Sequence, residues 1–458
     1  MKKTIYIIGI ATLVLSCKEK TPVDYALISG KLLNNTANQI ILTSAKDRTF
    51  KDTIQVSNDG SFSDTIRAGK GLYLFTIDES QTNLYLENGY NLIINADSKA
   101  LDSTIVLSGK GAAENNFLKS RAKKAKELEG SENIYTLEEE EFKNKRNSIV
   151  SSLSEMLENT KDISESFRLA QQKDINYTYL NMLANFESYH SYYAKKEDFK
   201  VGSDFLKDLD NIDYGNEEDY ENSKAYQSLV SYHYRYNATK MNETEGIPRD
   251  IAMLKTISTI KSETIKNDLL NATIYGMTIT EHLDDYYTLF MATSTDDKQK
   301  KSVEEYYENL KKIQIGEPSP KFENYENYAG GTTSLDDLKG KYVYIDVWAT
   351  WCGPCLAQIP ALKETEKSYH NKNIQFLSIS LDKPNDYEKW RTMIKDKELG
   401  GVQLLADKDF ESRFIKDYVI RGIPKFILLD PEGNIVKANA PRPSDIALIE
   451  LFDKLGIK

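Results

Sequence analysis

Between residues 24 and 111 apolar and polar positions alternate in short runs, "YALISGKLL", "NQIILTSA", "TIQVSNDGSFSDTI", "GLYLFTI", "TNLYLENGYNLIINA" and "STIVLSG", with Asn-Asp-Gly and Asn-Gly turns inside or between them. A period of two places every second side chain on one face, so each run reads as a half-buried strand. Short strands at this spacing predict an antiparallel β-sandwich over 24–111. The pattern then changes. From 112 to 313 the chain is dense in Glu, Lys, Leu and Ala, and apolar residues recur at helical spacing, as in "AYQSLVSYHYRY", which predicts an α-helical domain of antiparallel helices. "IGEPSPKFENYENYAGG" reads as a linker. Over 315–458 strand candidates "KYVYIDVW", "IQFLSISL", "VQLLA" and "KFILLD" alternate with helical patterns, so the C-terminal domain is expected to be an α/β sheet.

Charge and cysteine content narrow the class. With 59 Lys and Arg against 70 Asp and Glu the net charge is −11. No broad basic surface is left for phosphates, and nucleic acid is excluded as an expected partner. The chain opens "MKKTIYIIGIATLVLSC", a short basic start followed by an apolar run of signal-peptide length, too short to span a bilayer. Its end, Val14-Leu15-Ser16-Cys17, resembles a bacterial lipobox. Residues 1–17 are therefore expected to be a lipoprotein signal peptide, with Cys17 carrying the lipid that anchors the protein to a membrane. The expected location is the cell envelope, periplasm-facing or on the outer membrane.

Tyrosines cluster in the helical stretch, as at Tyr232, Tyr234 and Tyr236, and read as the margins of a helical core. His190, His233 and His282 have no second ligand at metal-binding spacing and read as packing or surface residues.

Once Cys17 is set aside, Cys352 and Cys355 are the only thiols of the three in the chain. A zinc site needs four ligands, and only His370 accompanies the pair in this domain. A peroxide-reducing cysteine would follow Pro-x-x-x-Thr-x-x, where Ile345 and Ala349 stand instead. A redox-active dithiol remains. The strand "VYIDVW" runs straight into the pair, which places Cys352 at a helix N-terminus, where free N–H groups favour a thiolate. Cys352 is thus the candidate nucleophile. Cys355, one turn on, is the candidate resolving thiol. Strand alternation points Asp346 inward, beneath the pair.

"YIDVWATWCGPCLAQIP" resembles the active-site segment of thioredoxin in Asp346, Trp348, Trp351, the Cys352-Gly353-Pro354-Cys355 core and Pro360. "VIRGIPKFILLD", residues 419–430, resembles the thioredoxin loop whose proline is cis and faces the dithiol. With "GEPSPKF" ahead of them and an inserted helix and strand between "SISLDKP" and "VQLLADKDF", residues 315–458 resemble the exported TlpA/ResA-like branch. The first third resembles a β-domain of unknown function found ahead of such modules in Gram-negative lipoproteins.

The resemblance implies catalytic roles for Cys352, Cys355, Asp346 and Pro424. Asp346 would exchange a proton with Cys355, and cis Pro424 would present the Ile423 backbone to substrate. Trp351, Gly353 and Pro354 would complete the substrate-binding surface. It also implies no cofactor beyond a Cys352–Cys355 disulfide, no metal, disulfide-bearing protein substrates, and a membrane electron donor that re-reduces the pair. The Gly-Pro dipeptide points to a reductase. Where thioredoxin has a lysine beside its buried aspartate, Ser378 stands here, and for the cavity glutamate of ResA-like proteins only Asp382 or Glu388 is nearby, so the second acid is left unassigned. The competing reading is a surface binding or scaffold lipoprotein with an accessory redox domain.

Overall fold

Eight strands open the computed structural model, which describes residues 23–45, 50–67 and 69–457, so the expected signal peptide and Cys17 lie outside the described residues. They are β1 (Ala26–Leu33), β2 (Gln39–Ser44), β3 (Lys51–Gln55), β4 (Ser61–Ile66), β5 (Gly71–Ile77), β6 (Ser80–Leu86), β7 (Asn91–Asp97) and β8 (Val106–Lys110). They form two four-stranded sheets, β4-β1-β7-β8 and β3-β2-β5-β6. The alternation seen in the sequence is the burial pattern of the strands. In β7, for example, Leu92, Ile94 and Ala96 turn inward, while Asn91, Ile93 and Asn95 face outward. One apolar cluster draws on both sheets, with Ile28 and Ile94 from the first and Leu42 and Phe75 from the second.

The expected antiparallel pairing has one exception, since β1 and β7 run parallel from Leu27↔Asn91 to Leu33↔Asp97. The strands between them in sequence provide the long crossover that a parallel pair requires. The two backbones approach closely at Gly30, where a Cβ would lie 1.7 Å from the Ile94 carbonyl oxygen, so only glycine fits.

The described chain divides into two compact units after Tyr232, inside the long helix Lys224–Glu245. In the first unit the helices Ala112–Glu129, Glu139–Asn159, Glu165–Ala184 and Phe186–Tyr193 follow the sheets. Ile149, Leu153 and Leu157, four residues apart, pack with Phe117, Phe167 and Ile175. The Ser164 hydroxyl accepts from the Phe167 N–H and so caps its helix. His190 is fully buried beside Phe186 and Phe199, with Nδ1 2.9 Å from the Tyr135 carbonyl oxygen, the environment of a packing residue. No described helix is long and apolar enough to cross a membrane.

The second unit starts with the helices Arg249–Ser258 and Glu263–Thr273, a 3-10 turn at Ile274–Thr278, and the helices Leu283–Thr293 and Asp297–Lys311. The remaining strands are β9 (Tyr325–Asn327), β10 (Thr332–Thr333), β11 (Tyr342–Trp348), β12 (Ile374–Ser380), β13 (Val402–Leu405), β14 (Lys425–Leu429) and β15 (Ile435–Lys437). They make one mixed sheet ordered β10-β9-β13-β12-β11-β14-β15. β11 lies inside it, parallel to β12 and antiparallel to β14. Every residue of β11 after Tyr342 is buried, as expected of an inner strand covered on both faces. Leu362 of the helix Ile359–Tyr369 and Phe452 of the helix Ile446–Lys454 pack with Tyr344, Phe426 and Leu428 of the sheet.

Candidate active site

The end of β11 positions the cysteine pair. Asp382, which is buried, accepts from the Thr350 backbone N–H at 3.0 Å and from the Thr350 hydroxyl at 2.7 Å, while Ser380 Oγ donates to it at 2.6 Å. That anchors the turn between β11 and the short helix Gly353–Leu356. Cys352 is the N-cap of this helix, and its Sγ accepts from the Cys355 N–H at 3.2 Å. Pro354 occupies the first turn, where no donor is missed. Cys352 and Cys355 form a disulfide of 1.98 Å. The helix then breaks before Ile359–Tyr369, with Pro360 at the start of the second segment.

Ile423 packs against the cluster of Trp348, Ala349, Cys352, Cys355 and Trp390, and the Ile423–Pro424 peptide is cis. Trp351 is 51% exposed, its ring 6.3 Å from that of Phe410. Beside the dithiol lies a pocket lined by Asp346, Cys355, Leu362, Glu366, Ser378 and Gln403.

These features coincide with what the chain resembles. Residues 315–438 match the AhpC/TSA family. The thiol-disulfide oxidoreductase ResA of Bacillus cereus (strain ZK / E33L) is 28% identical over 132 residues, 29% of this chain and 73% of the relative. The thioredoxin-like protein YneN of Bacillus subtilis (strain 168) is 31% identical over 123 residues, 27% of this chain and 69% of the relative. The chain belongs to the thioredoxin-like family. A solution structure from Bacteroides vulgatus is 49% identical, covers 31% of this chain and 91% of its own, and superposes with a TM-score of 0.28. The residues that match the family model lie in the C-terminal third.

Within the thioredoxin-like domain the two cysteines are equally buried, at 4% exposure each. Exposure therefore does not single out Cys352 as the attacking thiol, contrary to the simple picture of one open and one covered sulfur. Position distinguishes them instead. Cys355 lines the pocket that holds Asp346, and Cys352, the N-cap, does not.

The register sets Asp346 opposite Ser378 on β12 and Phe426 on β14, so no strand neighbour supplies a cation. Burial, and secondarily the charge of Glu366, pushes the Asp346 carboxyl up to about 7. Burial likewise lifts Glu366 to about 7, against the opposing charge of Lys363. A Cβ on Gly400 would fall 2.3 Å from Glu366 Oε2, so the glycine leaves the space that this carboxylate fills.

The second acid that lines the pocket is Glu366, and neither of the nearby candidates Asp382 and Glu388 does. Asp382 is consumed in holding the Thr350 turn, and Glu388 is exposed on the helix Tyr387–Asp396. Glu366 did carry a signal in the sequence. It falls four residues after Leu362 and seven after Ile359, which puts a charge on the apolar stripe of its helix.

Proposed function

We propose that this protein is an exported, lipid-anchored thiol–disulfide oxidoreductase that reduces disulfides in other proteins. The observation that carries the reading is the Cys352–Cys355 disulfide at a helix N-terminus, with Cys355 facing a pocket lined by the buried Asp346 and the partly buried Glu366. The likeness to ResA, a thiol-disulfide oxidoreductase, supports it.

In the reduced state Cys352 attacks one sulfur of the substrate disulfide, forming a mixed disulfide and releasing the first substrate thiolate. Cys355 then gives its proton to the Asp346 carboxylate and attacks Cys352 Sγ. The second substrate thiolate leaves, and the two electrons taken from the dithiol have reduced the substrate. The Ile423 backbone, in the loop packed on Cys352, offers main-chain pairing to an extended substrate segment. A membrane electron donor of the dithiol class restores the reduced pair.

The acids support this direction of flow. An ionised carboxylate in a dry pocket disfavours a neighbouring thiolate, which makes the dithiol the less stable form and the better donor. Equilibration of the full-length protein with a glutathione redox series is expected to give a potential nearer the roughly −270 mV of thioredoxin than the roughly −120 mV of an oxidase. A value above about −150 mV would reverse the assigned direction.

We read the two N-terminal sheets as the layers of a sandwich, and Cys17, which lies outside the described residues, as the lipid attachment site that places the protein in the cell envelope. Cys17→Ala is expected to leave the precursor uncleaved or to release it from the membrane fraction, since a single acyl chain binds only marginally. An unchanged membrane fraction together with a mature N-terminus of unlipidated mass would remove the anchor from the proposal.

A further inference from the structure

The loop that carries Ile423 and Pro424 is held from both ends by the helical segment that precedes the thioredoxin-like domain within the same compact unit. On the N-terminal side, the Arg421 guanidinium lies 4.6 Å from the centre of the Tyr306 ring and donates to the Tyr306 hydroxyl. A Cβ on the next residue, Gly422, would come within 3.7 Å of the Tyr275 hydroxyl oxygen. On the C-terminal side, the buried ammonium of Lys425 donates to Asn439 Oδ1, and Asn439 Nδ2 donates to the Thr278 carbonyl oxygen at 2.7 Å. Nearby, Lys437 pairs with Glu281 at 2.6 Å.

Contacts from residues 275–306 thus flank Ile423, which packs against the cluster that contains Cys352. Tyr275 is also 48% exposed, although it stands beside Gly422 and only one residue from Ile423. A half-open aromatic ring next to a main-chain pairing position is the type of group that captures an apolar side chain of a bound segment.

We propose that this helical segment completes the substrate-docking surface: Tyr306 and Asn439 are positioning residues that hold the loop, and Tyr275 recognises an apolar residue next to the cysteine of an oxidised protein segment. The inference rests on the oxidoreductase reading and specifies its substrate class. An extended chain paired along Ile423 advances about 3.3 Å per residue, so it reaches the Tyr275 ring within one or two positions of its cysteine. A small disulfide such as oxidised glutathione has no chain to lay there. The sulfur chemistry therefore belongs to the motif, and the discrimination among substrates belongs to residues outside it.

The full-length protein is assayed with three oxidised probes: a short peptide disulfide with leucine beside its cysteine, the same peptide with serine there, and oxidised glutathione. Tyr275→Ala is expected to raise KM for the leucine peptide, lowering the leucine-over-serine ratio of kcat/KM about tenfold. Tyr306→Phe keeps the ring under Arg421 and removes the hydroxyl. It is expected to lower kcat/KM for both peptides relative to glutathione by about threefold, at an unchanged reduction potential. An unchanged leucine-over-serine ratio in Tyr275→Ala would overturn the recognition role. An equal decline on all three probes in both variants would reduce the contacts to general support of the fold. A wild-type protein inactive on every probe would instead remove the oxidoreductase reading on which the inference stands.

Discussion

Cys352→Ser is expected to abolish disulfide reduction, lowering turnover by roughly 10³-fold or more, because the thiol assigned the first attack is gone and Cys355 is turned to the inner pocket. It should also trap nothing. Cys355→Ser is expected to fail in turnover just as completely but to accumulate mixed disulfides through Cys352, since the first attack is intact and the resolving attack is gone. The two variants are alike in rate and opposite in trapping, so non-reducing gels with mass spectrometry of the trapped species separate them. Trapping by Cys352→Ser to the same extent would reverse the roles drawn from the N-cap position of Cys352 and the pocket position of Cys355.

The second large effect is expected at Asp346, where replacement by asparagine should stabilise the protein at alkaline pH while slowing its chemistry. The folded-state carboxyl titrates near 7 and its ordinary value is 3.8. Between these values the native state holds a proton that the unfolded chain has released, so stability falls as pH rises across this window, and the loss is complete above about 7. Below about pH 4 both states are protonated and the wild type pays no penalty.

Asp346→Asn removes that slope. Denaturant unfolding is expected to show near equality with the wild type at pH 4 and a gain of roughly 2–4 kcal/mol at pH 8, since each tenfold difference in proton affinity between the folded and unfolded chain is worth about 1.4 kcal/mol and the buried amide is imperfectly satisfied. The resolving step is expected to slow by roughly 100-fold and to lose its rise with pH near 7. Because Glu366 adds to the upward push on Asp346, Glu366→Gln is expected to lower the Asp346 titration midpoint, and the stability gains of the two substitutions should not add. A variant at Asp346 no more stable than the wild type at pH 8 would contradict the buried-acid description.

The amino-acid sequence by itself determined the features that rest on neighbours along the chain. A strand leading into Cys-Gly-Pro-Cys places the first cysteine at a helix N-cap, because the geometry is set within a few residues. The apolar run around Asp346 marked β11 as a buried strand, and alternation in residues 24–111 was enough to define the inward faces of eight strands. Ser378 was set beside Asp346 only through the resemblance to thioredoxin, and the pairing of β11 with β12 puts the two residues opposite one another.

What the tertiary structure alone decided depends on elements distant in sequence. The parallel pairing of β1 with β7 requires the intervening strands to be assigned to another sheet, and local patterns are silent on that choice. Asp382 and Glu366 are both acids near the site, and only packing gives one to the Thr350 turn and turns the other into the pocket against Gly400. The same holds for Tyr275 and Tyr306. Within the helical pattern they read as core margins, and their place beside residues 421 and 422 arises from how those helices pack against the loop ahead of β14, a long-range contact with no periodicity to announce it.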